Sequence, residues 1–274
     1  MKKQNFISNL KTAFQLCKKN KGLFLLSMFL EICFYLAITI SQFWVLLAAR
    51  DSILRVMNLI QESVGSLAEA DAISVVSPEL FKTPELMAEY HIILKYFLVL
   101  IGIFFLTWII FKGLTWFIAH KMLKKVNVKK FTWFFVLYSL LTFICSIIWI
   151  VLIMRLISYS TFAFLPLIGV EMDRILLFIG LAVIAYFMLI AYSLIPNAGC
   201  RKICRIGVSK FRQLIPAYLL WLVSLTILSY LTVWVISISY WAPVIFALFI
   251  TIPAFVYGRI YILVVINKVV KRGP

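Results

Sequence analysis

The sequence predicts an all-α membrane protein with six transmembrane helices arranged in three hairpins. Of its 274 residues, 64% are hydrophobic and 14% are charged, and the mean hydropathy is +1.06. A soluble domain has about 25% charged residues. The apolar residues form six continuous runs, each long enough to cross a hydrocarbon core that needs about 20 helical residues. A transmembrane β-barrel would instead show segments of about 10 residues in which apolar and polar residues alternate.

Each apolar run defines one predicted span within a single domain over residues 1–274. The first run, over residues 22–49, contains one charged residue, Glu31. It far exceeds the apolar core of a cleavable signal peptide, which has about 7–15 residues, so we expect it to remain in the membrane. The other predicted spans cover residues 92–119, 131–157, 174–195, 213–238 and 243–267. Pro253 is predicted to kink the sixth span, because proline cannot donate the helical hydrogen bond to residue i−4.

Residues 50–90 form an outer helical insertion between the first two spans. Apolar residues in its first half recur at intervals of three and four, which predicts an amphipathic helix with one apolar face. This predicted docking face consists of Ile53, Met57, Ile60, Val64 and Leu67. Further along, Thr83, Pro84 and Glu85 are typical of a helix start. We therefore predict that the second helix begins outside the bilayer and reaches it near residue 92.

The distribution of charge predicts the orientation of the chain. The formal net charge is +17. The N-terminus, the second and fourth loops and the C-terminal tail together hold 19 basic residues and no acid, whereas nine of the ten acids lie in the insertion or the third loop. Six spans with both termini on the cytoplasmic side satisfy the positive-inside rule. We therefore expect a multi-pass protein of the cell (cytoplasmic) membrane.

The basic segments indicate which partners to expect. The basic inner loops are predicted to contact the lipid bilayer and its anionic lipid headgroups. Nucleic-acid binding is not expected, because no loop is long enough to form a folded basic surface. Residues 1–21 fit either an amphipathic helix on the inner membrane surface or a simple basic retention tail. No cofactor and no metal site is predicted, since Cys200 and Cys204 have no nearby His or acid to complete a set of ligands.

Among the charged residues of the predicted spans, three lie deep inside: Glu31, Lys112 and Arg259. Each is nine or ten residues from the basic residue that flanks its span, or about 14 Å along the helix. Their similar depth predicts an intramembrane charge cluster that joins helices 1, 2 and 6. A charge inside the membrane either forms a pair or serves a function. Four interpretations are open: a structural ion pair of Glu31 with one of the two bases, snorkelling of the two bases to the inner headgroups, binding of a lipid headgroup, or a Glu31 that titrates or binds a cation during transport.

No sequence pattern favours an enzyme. The HExxH, Walker A and GxGxxG motifs are absent, and no Ser-His-Asp set is recognisable. His91 and His120 lie near opposite ends of the second span, as interfacial histidines do. We predict a non-enzymatic interaction or scaffold subunit of a membrane complex, with a membrane protein partner on the docking face. The alternative is a small secondary transporter, or a transporter of lipid or hydrophobic solute, that uses the three intramembrane charges.

Residues 9–24, Asn-Leu-Lys-Thr-Ala-Phe-Gln-Leu-Cys-Lys-Lys-Asn-Lys-Gly-Leu-Phe, resemble the start of a loose group of six-helix prokaryotic membrane proteins. This group includes the membrane domain of bacterial glycerophosphodiester phosphodiesterases. Residues 164–171, with Pro166 and Glu171, are similar to a turn in that group, although the charge pattern here places them outside and the family has such turns inside. The resemblance implies a six-helix domain that is often attached to another protein or acts beside one, and it transfers no catalytic residue.

Overall fold

The computed structural model describes residues 6–68, 83–162, 170–195, 199–237, 239 and 241–271. About 95% of these residues are helical, and none of them is in a strand. Six helical segments in this part of the chain are long and apolar enough to cross a membrane: Lys21–Gln61, Pro84–Leu123, Val128–Leu156, Arg174–Leu194, Phe211–Val235 and Ala242–Lys271. The protein is therefore an all-α multi-span membrane protein, which confirms the predicted fold class.

The described helices follow one another with few interruptions. They are α1 (Phe6–Lys19), α2 (Lys21–Ala68), α3 (Pro84–Thr107), α4 (Gly113–Leu123), α5 (Val128–Phe162), α6 (Val170–Leu194), α7 (Cys200–Ser209), α8 (Phe211–Ile236), α9 (Ala242–Phe246) and α10 (Ile252–Lys271). A π-helical segment, Trp108–Lys112, joins α3 to α4, and a second one, Ala247–Thr251, joins α9 to α10. The second and sixth spans are thus long helices with a π-helical turn inside them.

The chain divides into two compact units, Met1–Ile32 with Phe111–Pro274, and Cys33–Ile110. In the larger unit, α10 is the central helix and packs against α1, α4, α6 and α8. Every residue from Ile260 to Ile266 is buried. A helix that is apolar on every side is stable where it is buried on every side. The core of the larger unit therefore lies around the sixth span.

The basic N-terminal segment forms a helix, α1, that packs against α10. Ala13 and Cys17 are buried on one side of α1. Tyr257 Oη donates a hydrogen bond of 3.0 Å to the Leu10 carbonyl, and Lys268 Nζ donates one of 2.9 Å to Asn9 Oδ1. These contacts attach α1 to the core, so the segment is an ordered helix and not a simple tail.

In the smaller unit, α2 continues beyond the predicted end of the first span at residue 49. The predicted outer amphipathic helix is not a separate helix, because α2 is a single helix of 48 residues that continues from the first predicted span into the predicted insertion. No glycine or proline occurs between Gly22 and Gly65, so nothing in the sequence breaks the helix there. The helix start predicted at Pro84 is present, with Pro84 as the first residue of α3.

Two predicted outer regions lie partly outside the described residues. Residues 69–82 of the insertion are not described, and neither are residues 163–169 of the loop between the third and fourth spans. The described helices on either side of that loop reach further than predicted, since α5 extends to Phe162 and α6 begins at Val170. The turn at Pro166, on which part of the resemblance to six-helix prokaryotic membrane proteins depends, therefore lies outside the described residues.

Candidate functional site

The three charged residues that the sequence places inside the spans meet within the larger unit. Glu31 lies on α2, Lys112 ends the first π-helical segment, and Arg259 lies on α10. Lys112 Nζ donates to Glu31 Oε2, and Arg259 Nη2 donates to Glu31 Oε1. All three residues are buried, with relative exposures of 0% for Glu31, 6% for Lys112 and 7% for Arg259. Glu31 therefore pairs with both bases, one through each carboxylate oxygen.

The charges in this cluster do not balance. One carboxylate faces two bases, so the cluster has a net charge of +1 when all three groups are ionised. Arg259 also lies over the Trp116 ring, with its Cζ atom 5.5 Å from the ring centre. Such a cation–π contact contributes about 2 kcal/mol where it is desolvated. Arg259 Nη1 is buried and has no hydrogen-bond partner among the described residues, so Glu31 and Trp116 together hold this guanidinium group.

The π-helical turn determines where Lys112 points. Residues 108–112 form i→i+5 bonds, and this extra residue rotates the side chains that follow by about 100° relative to an uninterrupted α-helix. Thr115 Oγ1 then donates a buried hydrogen bond of 3.0 Å to the Lys112 carbonyl. Such insertions are frequent at functional sites. The sequence has no obvious signature for this one, so it was not predicted.

The second π-helical segment lies beside Pro253. The Ile252 N–H donates to the Ala247 carbonyl, five residues earlier, and Pro253 follows directly. Pro253 has no N–H to donate to the Phe249 carbonyl, so the regular α-helical bonding cannot pass through this point. The structure thus places a break in helical hydrogen bonding at the proline that was predicted to kink the sixth span.

A second polar network, which the sequence analysis missed, lies next to Trp116. His120 is fully buried, and its Nε2–H donates a hydrogen bond of 2.8 Å to the Tyr192 carbonyl. The prediction of an interfacial histidine at this position did not include this burial between helices. The Tyr192 carbonyl is available because residue 196, which would donate to it in an α-helix, is a proline. A proline four residues after Tyr192 leaves the Tyr192 carbonyl without its helical donor, and this spacing is the sequence signal that could have identified the contact.

Aromatic rings connect the two networks. The Trp116 ring contacts the Tyr192 ring at a centroid distance of 5.5 Å, and Phe135 stacks on Tyr192 at 4.6 Å. Tyr192 Oη and Ser139 Oγ form a buried hydrogen bond of 2.7 Å. Contacts of this kind fix the orientation of each ring. They join α4, α5 and α6 around the Trp116 ring that covers Arg259.

The predicted docking face lies on α2 in the smaller unit, and only part of it is exposed. Met57 is exposed, whereas Ile53 and Ile60 are half-buried. The backbone at Val64 and Leu67 is helical, but their side chains lie outside the described residues. A second exposed apolar residue, Leu54, lies one turn before Met57 and was not included in the prediction. The exposed surface is therefore shifted around the helix from the predicted face.

The described residues contain no group of three or more His, Cys, Asp or Glu that could hold a metal ion. All five cysteines are free thiols. His91 is exposed, and its Nδ1–H donates to the Met87 carbonyl at 2.6 Å, one turn earlier on the same helix. The buried chemistry of the larger unit is thus that of ion pairs and hydrogen bonds between helices.

A scan against protein-family models gives no match, and searches among curated proteins and among solved structures give none either. The resemblance to six-helix prokaryotic membrane proteins therefore stays a prediction.

Proposed function

We propose that this multi-span membrane protein is a non-enzymatic interaction or scaffold subunit of a membrane complex. The observation that supports the proposal is the length of α2. Its 48 residues span about 72 Å, more than twice the hydrocarbon core of about 30 Å. A helix of this length continues beyond the bilayer, and the charge pattern predicts that the part of α2 after Arg50 does so on the outer side. A helix that projects from the membrane in this way is a suitable platform for a partner protein.

The projecting helices form what we call the stalk, which consists of residues 50–68 of α2 and residues 84–91 of α3. Arg55 Nη1 and Glu89 Oε1 form an ion pair of 3.0 Å between the two helices. Exposed apolar side chains occur on both of them: Leu54 and Met57 on α2, and Met87 and Tyr90 on α3. An apolar surface outside the bilayer has no lipid to cover it, which favours a protein interface.

The charge around this surface indicates the chemistry of the partner. Residues 50–90 contain seven acidic and three basic residues. Protein interfaces combine an apolar centre with a polar rim, and complementary charge guides the approach of the partner. We therefore propose a membrane protein partner whose surface has an apolar centre and a basic rim.

Purification from native membranes into lipid nanodiscs, followed by mass spectrometry, tests the proposal. We expect a stoichiometric protein partner, and we expect Leu54→Glu combined with Met57→Glu to remove it. The matched control, Leu54→Met with Met57→Leu, keeps the apolar surface and should retain the partner. Isolation of the wild-type protein without a partner, or equal retention by both double variants, would contradict the scaffold function.

The buried charge cluster favours a second candidate, a small secondary transporter or a transporter of lipid or hydrophobic solute. Glu31, Lys112 and Arg259 connect three helices, and π-helical turns interrupt two of these helices. Such irregular turns are places where a helix can change its hydrogen bonding. A pH-dependent structural change in wild-type protein that disappears in a folded Glu31→Gln variant would support transport. Absence of any such change in the wild type would count against it.

A further inference from the structure

An apolar cavity of about 700 Å³ lies between α6, α7 and α8 in the larger unit. Its volume falls within the range of about 300–1,000 Å³ that is typical of small-molecule sites. The walls are largely aromatic and aliphatic, with Phe178, Ile179 and Val183 from α6 and Phe211 from α8. At least half of the surface of each of these four residues is exposed. The cavity is therefore open to the bilayer along its side.

The two tyrosines in the walls of this cavity use their hydroxyl groups to form hydrogen bonds with neighbouring helices, and these bonds hold the walls in place. Tyr186 Oη donates to the Gly207 carbonyl at 2.9 Å, and Tyr218 Oη donates to the Ala182 carbonyl at 2.7 Å. A Cβ atom at Gly207 would lie 2.5 Å from the Phe187 ring, so a glycine is needed where α7 crosses α6. The tyrosines thus present apolar ring faces to the cavity, and its interior suits a hydrocarbon ligand.

One end of the cavity is polar and basic. Ser209, Lys210, Arg212 and Gln213 line it where α7 meets α8. Arg212 is exposed and Lys210 is half-buried. No acidic residue occurs in the sequence after Asp173, and the lining of the cavity includes these two bases and no acid. Charge complementarity at this end favours an anionic group next to the hydrocarbon.

The position of this end matches the level of lipid headgroups. It lies at the start of α8, which is the fifth span, and beside the short helix α7. On α7, Arg201, Lys202 and Arg205 are exposed while Ile203 is buried. A short basic amphipathic helix of this kind lies in the membrane interface.

We propose that this cavity binds an anionic glycerophospholipid, with an acyl chain between α6 and α8 and the phosphate against Lys210 and Arg212. The inference does not depend on the scaffold function, because the stalk belongs to the other unit of the chain. A phospholipid suits both halves of the site, since its chain matches the apolar walls and its phosphate matches the two bases.

Native mass spectrometry of the detergent-solubilised, full-length protein tests this site. The protein is titrated with dioleoyl phosphatidylglycerol and with dioleoyl phosphatidylcholine, which has the same chains and no net charge. We expect the anionic lipid to bind at least tenfold more tightly. Lys210→Gln with Arg212→Gln should reduce its affinity to that of the zwitterionic lipid. The matched control, Arg201→Gln with Lys202→Gln, removes the same charge outside the cavity and should change the affinity less than twofold.

Two further measurements examine the hydrocarbon half of the site. Ala182→Phe places a ring inside the cavity and should weaken binding of the anionic lipid at least tenfold. A photoreactive residue at position 183 in otherwise unchanged protein tests the same point without filling the cavity, and it should form an adduct with phospholipid in native membranes. This second measurement keeps the proposal testable if the Ala182→Phe variant does not fold.

Several results would overturn the proposal. Equal affinity for the two lipids would show that the bases do not recognise a phosphate. Equal losses in the two double Gln variants would indicate diffuse attraction to a basic surface. Full binding by a folded Ala182→Phe variant would place the lipid elsewhere, and a stoichiometric protein adduct at position 183 would make the cavity a protein interface.

Discussion

Replacing Glu31 with glutamine is expected to lower the free energy of unfolding by about 3–5 kcal/mol. This is the usual cost of removing one partner from a buried ion pair, because the remaining charge stays buried without compensation. Here the cost falls near the upper end of the range, since Glu31 is fully buried and pairs with both Lys112 and Arg259. A glutamine side chain can still accept a hydrogen bond, but it leaves two buried positive charges side by side.

The imbalance of charge predicts an order among the single variants. Lys112→Met leaves one acid and one base, Glu31 and Arg259, so it should cost the least. Arg259→Met also leaves a balanced pair, but it removes the contact with Trp116, which contributes about 2 kcal/mol where it is desolvated. Glu31→Gln should cost the most. The measurement is equilibrium unfolding of the three variants in a single detergent system, where 1.4 kcal/mol corresponds to a tenfold change in the unfolding equilibrium.

A triple variant separates a structural role from a functional one. Replacing a buried ion pair by apolar residues of similar size is often neutral or stabilising. Glu31→Leu, Lys112→Met and Arg259→Met together should therefore recover most of the stability that Glu31→Gln loses. If Glu31→Gln is as stable as the wild type, or if the triple variant is less stable than Glu31→Gln, the structural interpretation of the cluster is refuted.

Two further predictions concern helix packing and cysteine reactivity. A Cβ at Gly180 would lie 2.0 Å from the Trp149 ring, so Gly180→Ala should lower the free energy of unfolding by about 1–3 kcal/mol. Gly102 has open space around it, so Gly102→Ala should be neutral or stabilising by up to about 1 kcal/mol. If the two substitutions change the midpoint of thermal unfolding by equal amounts, this reasoning is contradicted. Burial raises the pKa of the Cys17 thiol to about 11. In a variant with Cys17 as its only cysteine, the rate of maleimide labelling should therefore increase about tenfold per pH unit up to that value. At neutral pH, Cys17 should react much more slowly than the exposed Cys204. A Cys17 rate that stops rising near pH 9 would show that the thiol is not protected.

The number of spans could be predicted from the sequence because it depends on the length of apolar runs. The extent of each helix could not be predicted in the same way. Arg50 and Asp51 show where the first apolar run ends, but a charged residue reports depth in the membrane and does not break a helix. Helices end where glycine or proline disrupts the backbone or where a cap replaces the helical bonds. Since α2 contains no such residue after Gly22 until Gly65, it continues past the charges.

The charge cluster, too, could be predicted from the sequence only in part. Distance along each helix is fixed at 1.5 Å per residue, so the common depth of Glu31, Lys112 and Arg259 follows from their positions in the sequence. The direction in which each side chain points depends on the rotation of its helix. The π-helical turn at residues 108–112 changes that rotation for Lys112 and leaves no pattern in the sequence. Depth was therefore predictable, and the pairing of one acid with two bases was not.

The polar contacts of α10 explain why a structural role is the simplest interpretation of this cluster. Lipid is as apolar as the helix surface, so apolar packing alone does little to fix the rotation or the height of a helix in the bilayer. The buried run from Ile260 to Ile266 would fit several rotations almost equally well. Tyr257 and Lys268, eleven residues apart and hence on the same side of the helix, bond to α1, and Arg259 bonds to Glu31. These three contacts select one orientation of α10 in the core. A charge cluster that fixes the core helix in this way is poorly suited to move, and for this reason we favour the stalk over the cluster as the functional surface.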